Sequence, residues 1–220
     1  AARQFVAERN LVFAVGQKNS ATDLFARNLQ EAAARNRGVR IAVRNFDSPT
    51  AAAQQFAQRR ADLAIVRSDT KTPPRARAVA QLEHSILLIA VPKTAAPKSI
   101  SALKGKKLAI IAADSRDMAL VRGVLSRFDI PDSTAIEQRK PEEWASLFEP
   151  GGPAAVFFMA RKSGLASDNF WLGKNQKTNF KLIDLEGAKG IADRMRGVEN
   201  ETIEAGEIIP SPPAPEEETD

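Results

Sequence analysis

The apolar positions of this chain fall into short continuous or alternating runs separated by stretches of helical period, and that succession predicts a βα fold. Leu11 to Val15 reads as a strand. After the loop Gly16-Gln17-Lys18-Asn19-Ser20, the residues Leu24, Phe25, Leu29, Ala32 and Ala33 share one helical face, and Gly38 closes that segment. Val39, Ile41 and Val43 then alternate with Arg40, Ala42 and Arg44, the two-residue period of a strand. Ala52, Ala53, Phe56 and Ala57 mark a second helix, and Leu63 to Val66 is an apolar run too short to be an independent helix. The chain up to Val66 therefore predicts a βαβαβ unit with a parallel sheet.

Pro73-Pro74 interrupts this pattern, Ser85 to Val91 supplies another strand, and Pro92 to Pro97 reads as a connector. Beyond it, Ser99 to Lys107 predicts a short helix and turn before a strand at Leu108 to Ala112. Val121, Val124, Leu125 and Phe128 recur at helical spacing, Thr134 to Glu137 can form a strand, and Trp144, Leu147 and Phe148 mark another helical face. Strands are expected at Ala154 to Phe158 and Phe180 to Ile183, and a helix over Gly187 to Arg196. These elements assign residues 1–91 to a first lobe and 92–209 to a second. Residues 210–220, where prolines precede an acidic cluster, are expected to form an extended, solvated tail.

Composition narrows the chemistry. The 220-residue chain is long enough for two lobes with self-sufficient cores. It contains no cysteine, which excludes thiol nucleophiles, disulfides and cysteine-ligated zinc. His84 is the only histidine and sits beside the apolar run Ile86 to Val91, so it reads as structural and leaves few ways to activate a nucleophile. Glu142-Glu143 and the run Glu216 to Glu218 read as solvated carboxylates on a helix start and a tail rather than as an acid/base pair. No Asp/Asn/Gly loop has calcium spacing, and Gly151-Gly152 precede Pro153 and a strand, not the helix that a phosphate-binding loop requires. The net charge of +5 is scattered along the chain without interleaved aromatics, which argues against nucleic acid and fits attraction of anionic solutes. No apolar run approaches the ~20 residues of a membrane span.

In open α/β sheets ligands settle beyond the carboxyl ends of the strands, which places Arg67, Ser68 and Asp69 where a ligand would lie. An ordinary polar turn, with Arg67 paired to Asp69, fits the same residues.

Four segments in one order, Val12 to Thr22, Asp62 to Asp69, Ser99 to Ala113 and Ile203 to Glu217, resemble the TAXI family, the extracytoplasmic receptors of TRAP transporters. The resemblance covers most of the chain, although the Leu103-Lys104-Gly105-Lys106 element alone is shared by many binding proteins. It implies a two-lobed type II periplasmic binding protein fold, each lobe a mostly parallel sheet flanked by helices. It further implies a periplasmic, noncatalytic protein without cofactor or metal, which captures a small organic anion such as a carboxylate in an interlobe cleft. The implied partners are membrane transporter subunits. By position in the matching motifs, Ser20, Ala21 and Thr22 would contribute from the first loop, Arg67, Ser68 and Asp69 from the third strand, and Ser115 and Arg116 from the second lobe. Where the family commonly carries small residues, this chain has Asn19-Ser20 and Asp114-Ser115-Arg116-Asp117, whose added carboxylates oppose an anion unless an arginine compensates. Family members also continue past the proline-rich segment with a strand returning to the first lobe. A chain lacking that strand would leave a sheet edge open to homodimerisation. The alternative reading is a sensory or protein-interaction domain of a membrane-anchored protein that keeps the fold and has a degenerate ligand site.

Overall fold

Parallel strands organise the first part of the chain in the computed structural model, which describes residues 9–35, 38–112, 115–162, 179–204, 206, 209–210 and 213–214. Strand β1 (Arg9–Val15) pairs in parallel with β2 (Val39–Asn45) on one side and with β3 (Leu63–Ala64) on the other, giving the order β2-β1-β3. Helices α1 (Ala21–Ala34) and α2 (Pro49–Ala57) make the crossovers. Each begins at a serine whose hydroxyl accepts an otherwise unpartnered N–H of the first turn: Ser20 from Asp23, Ser48 from Ala51. Pro49 follows Ser48 at the helix start, where its missing N–H is not needed. The βαβαβ unit expected from the sequence is present, with β3 half-buried and shorter than Leu63 to Val66.

The face that α1 turns inward differs from the expected one. Asp23 and Ala26 are buried, and Gln30 Nε2 donates to the Ile41 carbonyl at 2.7 Å, whereas Leu24, Phe25 and Leu29 are 54%, 39% and 37% exposed. The reason is polar. Asp23, Arg27 and Asn45 bond to one another, which rotates the stripe 23, 26, 27, 30 and 33 toward the sheet in place of the larger apolar residues.

Among the described residues the second sheet has five strands in the order β6-β5-β7-β4-β8. They are β4 (Ser85–Pro92), β5 (Leu108–Ile111), β6 (Ile136–Gln138), β7 (Ala155–Arg161) and β8 (Phe180–Leu182). β5 pairs in parallel with β6 and β7, while β4 runs antiparallel between β7 and β8. Both faces are covered. Ile86, Leu88, Ala90, Val156 and Phe158 point to one core, which contains Trp144, Phe148, Phe180 and Ile203. Ile89, Val91, Ala155 and Phe157 point to the other, against Val121 and Leu125 of α3 (Ser115–Ser126). The alternation within each strand follows the two-residue period of side-chain direction. Trp144 in α4 (Trp144–Leu147) meets Phe148, Phe158 and Phe180 edge-on at ring-centroid distances of 4.7, 5.3 and 4.9 Å. Helix α5 (Ala188–Ala192) follows β8.

By contact the chain divides into unit 1, Ala1–Ala80 with Arg196–Val198, and unit 2, Gln81–Met195 with Glu199–Asp220. This corrects the expected boundary after residue 91: the strand Ser85–Pro92, assigned to the first lobe, hydrogen-bonds to β7 and β8 in the second sheet. In the tail, β9 (Ile209–Pro210) and β10 (Pro213–Ala214) pair antiparallel. Residues 215–220 lie outside the described residues, as does Asp114.

Candidate ligand-binding site

Adjacent parallel strands send their following loops to the same end of the sheet. Because Phe13 and Ala14 of β1 pair with Leu63 and Ala64 of β3, the loop from Gly16 to Ser20 and the loop from Ile65 to Thr70 both leave the carboxyl edge of the unit 1 sheet. Asp62 extends this pairing with its side chain, accepting the Val12 N–H at 2.8 Å while its own N–H donates to the Val12 carbonyl at 2.9 Å.

The first loop is held from below by Asp23. Its carboxylate accepts the Asn19 N–H at 2.8 Å, Asn45 Nδ2 at 2.8 Å and Arg27 Nε at 3.2 Å, although the side chain is wholly buried. The Asn45 amide and Asn19 N–H bonds, followed by Arg27, depress its pKa from 3.8 to about 2 against the opposing effect of desolvation. Asn45 Nδ2 also donates to the Gly16 carbonyl at 3.1 Å, and Arg27 Nη2 donates to Asn45 Oδ1 at 3.0 Å, so both ends of the loop are tied to β2. Asn19 takes a left-handed conformation, φ 65°, which asparagine tolerates better than most residues. The result is a fixed helix start. Ser20 Oγ and Thr22 Oγ1 lie 3.0 Å apart, and the N–H groups of Ala21 and Thr22 have no partner among the described residues.

The loop after β3 is closed on itself. Arg67 donates from Nε and Nη2 to the two carboxylate oxygens of Asp69 at 3.1 and 2.9 Å, the forked geometry that a ligand carboxylate would otherwise occupy. Pairing with Asp69 is the alternative raised by the sequence. Ser68 Oγ donates to the Gly197 carbonyl at 2.7 Å, and Thr70 Oγ1 to the Arg67 carbonyl at 2.8 Å. Gly197 is required there: its φ is +68°, and a Cβ would stand 2.1 Å from the Ser68 carbonyl oxygen. Arg196 also reaches Thr72 at 3.3 Å, so the segment Arg196–Val198 is fastened to unit 1 at this loop.

In unit 2, Ser115 and Arg116 open α3 and are exposed, while Asp117 at the third helical position is buried, as Asp23 is in α1. The structure brings Ser20, Ala21 and Thr22 to the same sheet edge as Arg67, Ser68 and Asp69; Ser115 and Arg116 belong to the other unit. The sequence reading missed Asp23, Arg27, Asn45 and Gly197. Ser20-Ala21-Thr22-Asp23 carries the serine-to-acid spacing of a helix start, which signals Asp23; nothing local signals the others.

Other candidate chemistry resolves into structure. Glu143 accepts the Lys140 N–H at 2.8 Å and Arg139 Nη1 at 3.2 Å, and these bonds, the Lys140 N–H first, lower its pKa. His84 is exposed, and its carbonyl accepts the Lys162 N–H at 2.8 Å beside β4. Among the described residues no group of three or more His, Cys, Asp or Glu side chains could hold a metal ion, and no helix is long and apolar enough to cross a membrane.

Neither a family model nor a curated protein matches the sequence. Solved structures do. The glycine betaine/L-proline-binding protein ProX of Borrelia burgdorferi aligns with a TM-score of 0.53 at 16% identity, over 86% of this chain and 72% of that one. The fold is that of the two-lobed type II periplasmic binding proteins. The BvgS periplasmic domain of B. pertussis aligns with a TM-score of 0.50 at 14% identity over 80% of this chain, which spans 34% of the length of that one. The periplasmic aliphatic sulphonate-binding protein SsuA of Escherichia coli is also similar, with a TM-score of 0.47 at 16% identity over 80% of this chain and 60% of its own.

Proposed function

We propose that this chain is a noncatalytic, extracytoplasmic solute-binding protein, TAXI-like, that captures a small organic anion and hands it to the membrane subunits of a TRAP-type transporter. The observation that carries this reading is the start of α1, where the Ala21 and Thr22 N–H groups and the Ser20 and Thr22 hydroxyls are fixed at the carboxyl edge of a parallel sheet. Such donors, together with the helix dipole, stabilise a carboxylate without a catalytic group. Because Arg27 neutralises Asp23, the buried carboxylate does not present an uncompensated charge to the anion. Ser115 and Arg116, at the start of α3, are the corresponding donors of unit 2. Arg67, Ser68 and Asp69 flank the first-loop donors, with Arg67 and Asp69 fixing the shape of their turn. The similar ProX structure, named as a glycine betaine/L-proline-binding protein, supports solute capture.

The second reading, a sensory or interaction domain of a membrane-attached protein, is favoured by the self-satisfied Arg67–Asp69 and Ser68–Gly197 contacts. The likeness to a periplasmic domain in BvgS is compatible with it. Equilibrating the protein with a metabolite extract and identifying the retained anions by mass spectrometry separates the two. Retention of an organic anion, lost in Thr22→Ala, supports capture; a protein that retains none favours the second reading.

A further inference from the structure

Unit 2 carries a surface pocket of about 270 Å³ between the turn that ends α3 and helix α5. Its floor is apolar, made by half-buried Phe128 and buried Ile191, and its rim carries Arg127, Arg194 and Glu186. The side chains of these three rim residues are exposed and have no ion-pair or hydrogen-bond partner among the described residues. Two guanidiniums beside one carboxylate leave the rim with a single net positive charge, which attracts an anion and which a monoanion neutralises. Gly187 and Gly190 complete the wall.

Gly190 is the telling residue. It lies inside α5, where glycine is among the poorest helix formers. Its φ does not fall in the left-handed range, and a Cβ would meet no atom within 4 Å, so neither backbone conformation nor packing asks for glycine. Gly190 lines the pocket together with Phe128 and Ile191, and the position its side chain would take is open space.

From this geometry we infer that the α3–α5 pocket is a second binding site, distinct from the first-loop site, for a small monocarboxylate with a flat apolar body. The ring lies on Phe128 and Ile191, and the carboxylate faces Arg127 and Arg194, which can each present a forked pair of N–H donors. The site lies wholly within unit 2 and does not depend on the ligand assigned to the start of α1.

Benzoate is the probe, titrated into the ¹⁵N-labelled full chain and followed by amide chemical shifts. The expected result is saturable movement of the Gly187, Gly190, Ile191 and Arg194 amides with a dissociation constant of order 1 mM. Benzamide, which keeps the ring and lacks the charge, should bind about tenfold more weakly, and so should Arg194→Gln toward benzoate. Gly190→Ala should lose the shifts while its melting temperature stays level or rises, because alanine favours the helix. Thr22→Ala should leave benzoate binding unchanged. The proposal is overturned if these amides do not move, if benzamide binds as well as benzoate, if Gly190→Ala binds benzoate as the parent chain does, or if the shifts fall instead at Ala21 and Thr22.

Discussion

Units 1 and 2 share a wiring and differ in what holds them. Each contains a strand, a helix, a second strand beside the first and a third on its other side: β1, α1, β2 and β3 in the order β2-β1-β3, and β5, α3, β6 and β7 in the order β6-β5-β7. In each, the helix after the first strand buries an aspartate at its third position, Asp23 or Asp117. Unit 2 adds β4 and β8 and packs a Trp144-centred aromatic cluster on one face of its sheet. The buried side chains of unit 1 are smaller, with Ala14, Ala26, Ala52 and Ala61 prominent among them, and α1 leaves Leu24, Phe25 and Leu29 exposed. Apolar burial therefore carries unit 2, whereas much of the definition of unit 1 comes from hydrogen bonds around Asp23, Asn45 and Gly197. A polar network contributes less net stability than an aromatic core. It fixes loop geometry more tightly, which is what a binding edge requires.

The largest effect should come from the aromatic core. Trp144→Ala removes the ring at the centre of three aromatic contacts and should cost about 3–5 kcal/mol, read as a lower urea midpoint. A loss below about 1 kcal/mol would show that unit 2 does not depend on this cluster.

Gly197→Ala comes next. A left-handed alanine whose Cβ overlaps the Ser68 carbonyl should cost about 2 kcal/mol and release Arg196–Val198 from unit 1, raising amide exchange at Ser68 and Asp69. Unchanged exchange would detach this contact from the account.

Acid sensitivity tests the polar network of unit 1. The folded pKa of Asp23, about 2, lies below the ordinary 3.8, so its contribution is complete above pH 3.8 and is lost as pH falls through that value toward 2. Asp23→Asn has no carboxylate to titrate there and should show a flatter stability curve over that window, with less stability at neutral pH. Parallel curves for the two proteins would contradict the assignment.

The smallest effect is expected from Leu29→Ser on the exposed face of α1, within about 0.5 kcal/mol by urea unfolding. A larger loss would mean that this stripe is covered in solution and that the contrast between the units is overstated.

Most elements were legible because strand and helix periods are local properties. Leu108 to Ile111 and Ala155 to Phe158 are continuous apolar runs, and both are buried strands. Partnership was not legible. Ile86 to Val91 is apolar on both faces, so its pattern states that it is central in a sheet but not in which one, and the prolines at Pro92 and Pro97 suggested a boundary that the hydrogen bonds to β7 and β8 overrule. The inward face of α1 was misread because apolar periodicity ignores a buried acid, and Asp23 finds its amide partner Asn45 far along the chain. Gly197 meets Ser68 across 129 residues, a contact that no short motif encodes. The site was legible as loops at strand ends, since that follows from the parallel topology. That Arg67 is forked onto Asp69 depended on side-chain geometry.

The most direct test of solute capture is calorimetric titration of the retained anion into the parent chain and Thr22→Ala. Saturable binding to the parent chain is expected, weakened in Thr22→Ala by about 1 kcal/mol through loss of one hydroxyl hydrogen bond. Equal affinity in the two proteins, or no binding heat and no retained anion in the parent, would contradict capture at the start of α1.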